Sequence, residues 1–273
     1  MYKSMPIVGH SDRQGGEKVS KMRDSPAQIL LREDTSDGLC ILTINRPEKL
    51  NSLNTAIFER LEAEIGKIEK ADHVGCVVIR GAGKNFSAGH DLQDIGEGES
   101  VGHLRFQGLV VERLANLPQP VIAAVRGHCY TGALELALAA DLIIACETAK
   151  FADTHARWGL TPVWGMSQRL PRRVGVAKAR ELMFTCRTVS GREALSIDLA
   201  NRCFEENAFE AGVDEVAQAI LRNSWFSNAA NKRLTIETDG LRLADGLSHE
   251  LHRNAGTAPD MAARIEQFSK RKA

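Results

Sequence analysis

Six cysteines are present, yet no two of them form a CxxC pair, and several sit inside apolar runs. That spacing argues against a zinc or redox site and for buried, reduced thiols in a cytosolic protein. No apolar run is long enough to span a bilayer, so no membrane partner is expected. Residues 1–25, polar and glycine-rich, lack the apolar core of a secretory signal and are expected to form a flexible N-terminal tail. Net charge is missing as well, because 35 basic residues cancel 35 acidic ones. Bulk electrostatics therefore offer nothing to nucleic acid, and no aromatic–basic stripe suggests an RNA surface. What remains is an ordinary globular composition, 43% apolar and 26% charged over 273 residues. That is enough for one core with an appended helical piece.

Periodicity divides the chain. Cys40–Asn45 is a β-rich run broken by Arg46-Pro47, and Leu53 to Ala71 places Leu53, Ile57, Leu61, Ile65 and Ile68 at helical spacing. Cys76–Arg80 is a short continuous apolar run of the kind a fully buried parallel strand shows. A helix around His103 to Asn116 follows, then a strand through Val125, a helix from Gly132 to Ala140 and the strand LIIAC after Asp141. Phe151 starts another short strand, helical segments occupy Met166 to Phe184, and Asp198 to Glu205 offers a last strand. Beyond Phe209 only helices are expected, over Glu210–Trp225, Ala229–Ala244 and Pro259–Lys270. Strand–helix alternation followed by a helical tail predicts an α/β core over 26–206 and a C-terminal helical region over 207–273.

Two loops follow strands and carry glycine at a point of close approach: FSAGHDL, Phe86 to Leu92, and the segment around Gly132. Neither matches GxGxxG or GxxxxGK[ST], so a nucleotide cradle is disfavoured. Backbone N–H groups from two such loops can together stabilise an oxyanion. Glu135 lies one turn beyond Gly132, flanked by Ala133, Leu134 and Leu136, surroundings that raise a carboxyl pKa.

NRPEKLNSLN (Asn45–Asn54), FSAGHDL, Pro120–Ala145 and Trp158–Gly175 together resemble the enoyl-CoA hydratase/isomerase, or crotonase, superfamily. The resemblance implies repeated ββα units, a C-terminal helical trimerisation region, trimers or dimers of trimers, and an acyl-CoA substrate. Coenzyme A would arrive as part of that substrate, with no separate cofactor. It also implies that the N–H groups of His90 and Gly132 form the oxyanion hole, and that Glu135 is one of two catalytic glutamates. Arg46, Lys49, Leu50, Ala88, Asp91 and Leu92 are implied as neighbours of the coenzyme A portion.

Counting back from Gly159, Pro162 and Gln168-Arg169-Leu170, the position of the second glutamate is occupied by His155. Three readings follow. His155 replaces the carboxylate as proton donor, with Asp153 on the same face of an extended segment orienting it. Alternatively, Glu135 and His155 serve double-bond migration or hydrolysis. In the third, His155 is structural and the protein binds coenzyme A ligands without turning them over. Asp153 also reads as a turn acid before Thr154. Trp164 follows the site segment and is a candidate wall of the acyl pocket. Phe268, Lys270 and Lys272 stand where relatives place coenzyme A contacts, or form a frayed basic helix end. The leading expectation is addition of water to a 2,3-unsaturated acyl-CoA, or the reverse.

Overall fold

The computed structural model describes residues 28–96, 98 and 100–270; the expected N-terminal tail, Lys272 and the Leu92 side chain lie outside that description. The chain opens with β1 (Leu30–Asp34) and β2 (Leu39–Ile44), an antiparallel pair. Next come α1 (Thr55–Ile68), β3 (Cys76–Gly81), α2 (Leu92–Gly96), α3 (Val101–Ala115) and β4 (Val121–Val125). Then follow β5 (His128–Tyr130), α4 (Gly132–Leu138), β6 (Leu142–Cys146), β7 (Lys150–Ala152), α5 (Met166–Val174) and α6 (Val176–Thr185). Last are β8 (Val189–Ser190), α7 (Gly191–Ser196), β9 (Arg202–Phe204), α8 (Phe209–Leu221), α9 (Trp225–Glu237), α10 (Leu243–Arg253) and α11 (Met261–Lys270).

Six strands form one sheet in the order β1-β2-β3-β4-β6-β9, parallel except for β1 against β2. Its central strands are buried on both faces, which is why they read as unbroken apolar runs. Val77 and Ile79 of β3 and Val121, Ala123 and Val125 of β4 point into the main core with α1 and α3. Cys76, Val78, Ile122 and Ala124 alternate with them and meet Phe209, Val213, Ala217 and Leu221 of α8 on the other face. A second sheet has the order β5-β7-β8; β5 leads into the Gly132 loop and β7 into the Asp153–His155 segment.

Element by element, the expected helices and strands are found with small shifts in their ends. Helix α1 starts at Thr55 because the Asn54 side chain accepts the Ile57 N–H at 3.1 Å, a capping bond that leaves Leu53 outside the helix. Among the described residues the C-terminal region holds four helices, not three. The expected Ala229–Ala244 helix ends at Glu237, and Gly240, with φ 76°, precedes a separate α10. The elements β1, α2, β5, β8 and α7 were not expected from the sequence; β5 and β8 are too short to carry a period.

Candidate active site

The two glycine-bearing loops meet beyond β3 and β5. Ser87 donates its N–H to the His128 carbonyl at 2.8 Å, and Leu53 donates to the Gly89 carbonyl at 2.8 Å, so the first loop is clamped on both sides. Gly89 has φ 103°, and a Cβ there would lie 2.5 Å from the Tyr130 carbonyl oxygen. Only glycine permits that approach. The same Cβ position is 3.6 Å from the Gly132 nitrogen, so the backbone leading into His90 and the start of α4 adjoin. The Gly132 N–H belongs to the first helical turn and has no intrahelical acceptor. A Cβ at Gly132 would sit 2.3 Å from the Trp164 ring, which closes over it.

Thr131, between these loops, is held at φ 51°, ψ −110°, a costly conformation for a β-branched residue. Three hydrogen bonds hold it. Its N–H bonds the Ala152 carbonyl at 2.8 Å. Its hydroxyl pairs with the Thr154 hydroxyl and accepts the Thr154 N–H at 3.2 Å. The α4 start is thereby latched to the segment that carries Asp153 and His155.

Glu135 is 1% exposed, and its Oε1 accepts the N–H groups of Trp164 at 2.9 Å and Met166 at 3.0 Å. Met166 is the first residue of α5 and Trp164 precedes its N-cap Gly165, so the N-terminal end of that helix faces the carboxylate. Burial pushes the Glu135 carboxyl above its ordinary range, opposed by the Met166 bond, the His155 charge and the Trp164 bond. The second oxygen, Oε2, lies 3.6 Å from Nε2 of His155. On the far side of the imidazole, Nδ1 meets Asp153 Oδ1 at 2.6 Å. Asp153 and His155 are buried too, giving a continuous row of carboxylate, imidazole and carboxylate.

The row does not arise from an extended segment. His155 has φ −53°, ψ −50° and begins a 3-10 turn over Ala156–Trp158. Asp153 Oδ1 accepts both the His155 backbone N–H at 3.1 Å and the ring nitrogen, so it is a turn acid and the partner of the imidazole at once.

A cavity of about 590 Å³ opens in front of these groups. Ala88, His90, Gly132, Glu135, His155 and Trp164 line it among the residues expected from the sequence. The His90 ring packs on Trp164 with centroids 4.8 Å apart. Arg46 and Asp91 do not line it. They pair with each other at 3.0 Å, and Arg46 also donates to the Ser52 carbonyl at 2.8 Å, so both are spent on joining two loops. Lys49 ends a 3-10 turn and Leu50 is partly exposed; Leu50 reaches the site loop by accepting the Ala88 N–H at 2.9 Å. Sequence reasoning missed the Trp164 and Met166 donors and the Thr131–Thr154 latch. Backbone N–H groups leave no trace in residue identity, and the two threonines are too far apart in the chain for any local pattern to join them.

Comparison with known proteins identifies the family. The enoyl-CoA hydratase/isomerase family profile matches residues 34–258. The chain belongs to this family. The probable enoyl-CoA hydratase 1, peroxisomal, of Arabidopsis thaliana is 34% identical over 86% of this chain and 88% of its own length. The short-chain-enoyl-CoA hydratase of Clostridium acetobutylicum is 37% identical over 68% of this chain and 73% of its own. The 1,2-epoxyphenylacetyl-CoA isomerase of Escherichia coli is 31% identical over 85% and 92%. Among solved structures, enoyl-CoA hydratase from Bacillus anthracis superposes with a TM-score of 0.85 at 29% identity, covering 89% of this chain and 97% of that one. The α/β crotonase fold with its C-terminal helical region is therefore the fold of this member, and membership implies acyl-CoA substrates.

Proposed function

We propose that this family member is a hydro-lyase that adds water across a 2,3-unsaturated acyl-CoA, or removes it. The observation that carries the reading is the buried Asp153–His155–Glu135 row beside the Gly132 loop. A pair of glutamates sharing one proton carries one net negative charge. Ionised Glu135, imidazolium His155 and ionised Asp153 carry the same net charge and also hold one transferable proton. Asp153 thus restores the balance that exchanging a carboxyl for an imidazole would upset.

In this reading the N–H groups of His90 and Gly132 hold the thioester oxygen as it gains negative charge. Glu135 takes a proton from water while the water oxygen bonds to C3. His155 gives its Nε2 proton to C2 as the enolate collapses. Product then leaves a protonated Glu135 and a neutral His155, and one proton crossing the 3.6 Å between them resets the site. Asp153 steadies the imidazolium and keeps its Nδ1 occupied. Coenzyme A comes and goes with the substrate. We place the protein in the cytosol as a trimer or dimer of trimers, with Lys49, Leu50 and Ala88 flanking the coenzyme A portion.

Incubation with crotonyl-CoA, following enoyl absorbance and free thiol together, tests the reaction. Absorbance lost without thiol supports hydration. Thiol release indicates hydrolysis, and gain of absorbance from a 3-enoyl-CoA indicates isomerisation. A protein that binds these thioesters and changes none of them is a ligand-binding homologue. Asp153→Asn keeps the shape and removes the charge; we expect kcat to fall by about 10²-fold or more with little change in KM. An unchanged kcat would make Asp153 a turn residue only.

A further inference from the structure

Among the described residues that line the cavity, the basic side chains are His90, His155 and Arg157. Arg157 sits two residues past His155, on the 3-10 turn that His155 begins, and lines the same cavity as Glu135 and His155. One guanidinium nitrogen, Nη2, is anchored by a 3.3 Å bond to the Cys186 carbonyl. No carboxylate among the described residues pairs with it. The adjoining cation at this corner, Arg187, is already neutralised by Glu181 at 2.6 Å and Glu193 at 2.7 Å, so those acids are engaged. Thr161 and Thr188 also line the cavity, as do the apolar Leu104 and Trp158.

A cation on a pocket wall discriminates between ligands. Arg157 is solvent-exposed, so an alkyl chain beside it gains nothing from the charge, whereas a carboxylate would pair with its remaining N–H groups, two at a time where geometry allows. We propose that the preferred thioesters carry a second carboxylate at the far end of a short acyl chain, held by Arg157 with hydroxyl support from Thr161 and Thr188. The proposal rests on the acyl-CoA reading of the site but not on which reaction follows binding.

Calorimetric titration with glutaryl-CoA and butyryl-CoA tests it, since both are saturated and inert to hydration. The wild-type protein should bind glutaryl-CoA about tenfold more tightly. In Arg157→Gln the ratio of the two dissociation constants should fall towards one, and Arg157→Lys should keep part of it. A wild-type ratio of one or less overturns the proposal, as does a ratio that survives Arg157→Gln. So does an Arg157→Gln protein that loses affinity equally for free coenzyme A, which would assign the guanidinium to the coenzyme. Thermal denaturation of each variant checks folding. Turnover of crotonyl-CoA and glutaconyl-CoA separates the two ideas: an intact binding preference without hydration of either refutes the hydro-lyase reading alone.

Discussion

Removing the charge from Glu135 should separate stability from activity. Its carboxyl is raised by burial, so the folded chain binds that proton more tightly than the unfolded chain does. Stability from this group is complete below the ordinary carboxylate pKa and is lost as pH rises through the folded value. Glu135→Gln keeps an oxygen for the Trp164 and Met166 N–H groups and carries no charge. Its Tm should exceed that of wild type near neutral pH, by roughly 2–4 °C, and the gap should close towards pH 4. Hydration by this variant should drop by about 10²–10⁴-fold. For the wild type, the acid limb of kcat/KM should lie above the usual carboxylate range, since Glu135 must ionise to accept a proton from water. Thermal melts and initial rates across pH read both effects, and a variant that melts lower at neutral pH would contradict this account of Glu135.

Among elements, the latch between the start of α4 and the Asp153–His155 turn is the contact to probe. Thr154→Val would leave the buried Thr131 hydroxyl without that partner, and we expect a loss of about 1–3 kcal/mol in chemical denaturation. Thr131→Gly removes the hydroxyl and relieves the positive φ together. The double variant should therefore cost less than the sum of the singles, with a coupling of at least about 0.5 kcal/mol. Strict additivity would mean that the two loops are held independently. A second joint fastens α9 to the sheet. Lys232 Nζ reaches Asp141 at 2.7 Å and the Gln119 carbonyl at 3.1 Å, while Asp141 also accepts the Val121 N–H at 2.7 Å. Burial holds the Lys232 ammonium below its ordinary pKa, with Asp141 opposing that. Lys232→Met should destabilise the fold by about 2 kcal/mol, since Asp141 stays partly solvated.

For the molecule as a whole, the C-terminal helices are the unfinished surface. Leu243, Leu247 and Leu251 lie four residues apart on α10 and are 79%, 58% and 77% exposed. Ile265 and Phe268 of α11 are exposed as well. A helix with its apolar stripe in water gains by covering it, which is the physical ground for the trimer proposed above. Sedimentation should show an assembly of three or six chains, and Leu247→Glu should shift it to smaller species while leaving the α/β core folded. A wild-type monomer at micromolar concentration would defeat that proposal.

Legibility followed the range of the interactions. The central strands were readable because burial on both faces demands unbroken apolar runs, as in Val77–Ile79 and Val121–Val125. The α1 stripe was readable because Ile57, Leu61, Ile65 and Ile68 answer to one local period. The register of landmarks around Gly159 and Pro162 sufficed to find His155 where a glutamate was expected. The edge strands β1, β5 and β8 and the gap between α9 and α10 escaped, since LLRED does not alternate, two or three residues carry no period, and a helix end depends on its cap. Only the tertiary structure decided what His155 does with its neighbours. The sequence alone offered Asp153 as an orienting partner or as a turn acid, and folding made it both. Folding also committed Arg46 and Asp91 to each other and drew two backbone N–H groups from the start of α5 onto Glu135. Such contacts join residues distant in the chain through backbone atoms that every residue shares. Composition and period therefore determine the core, and packing alone determines the chemistry set at its edge.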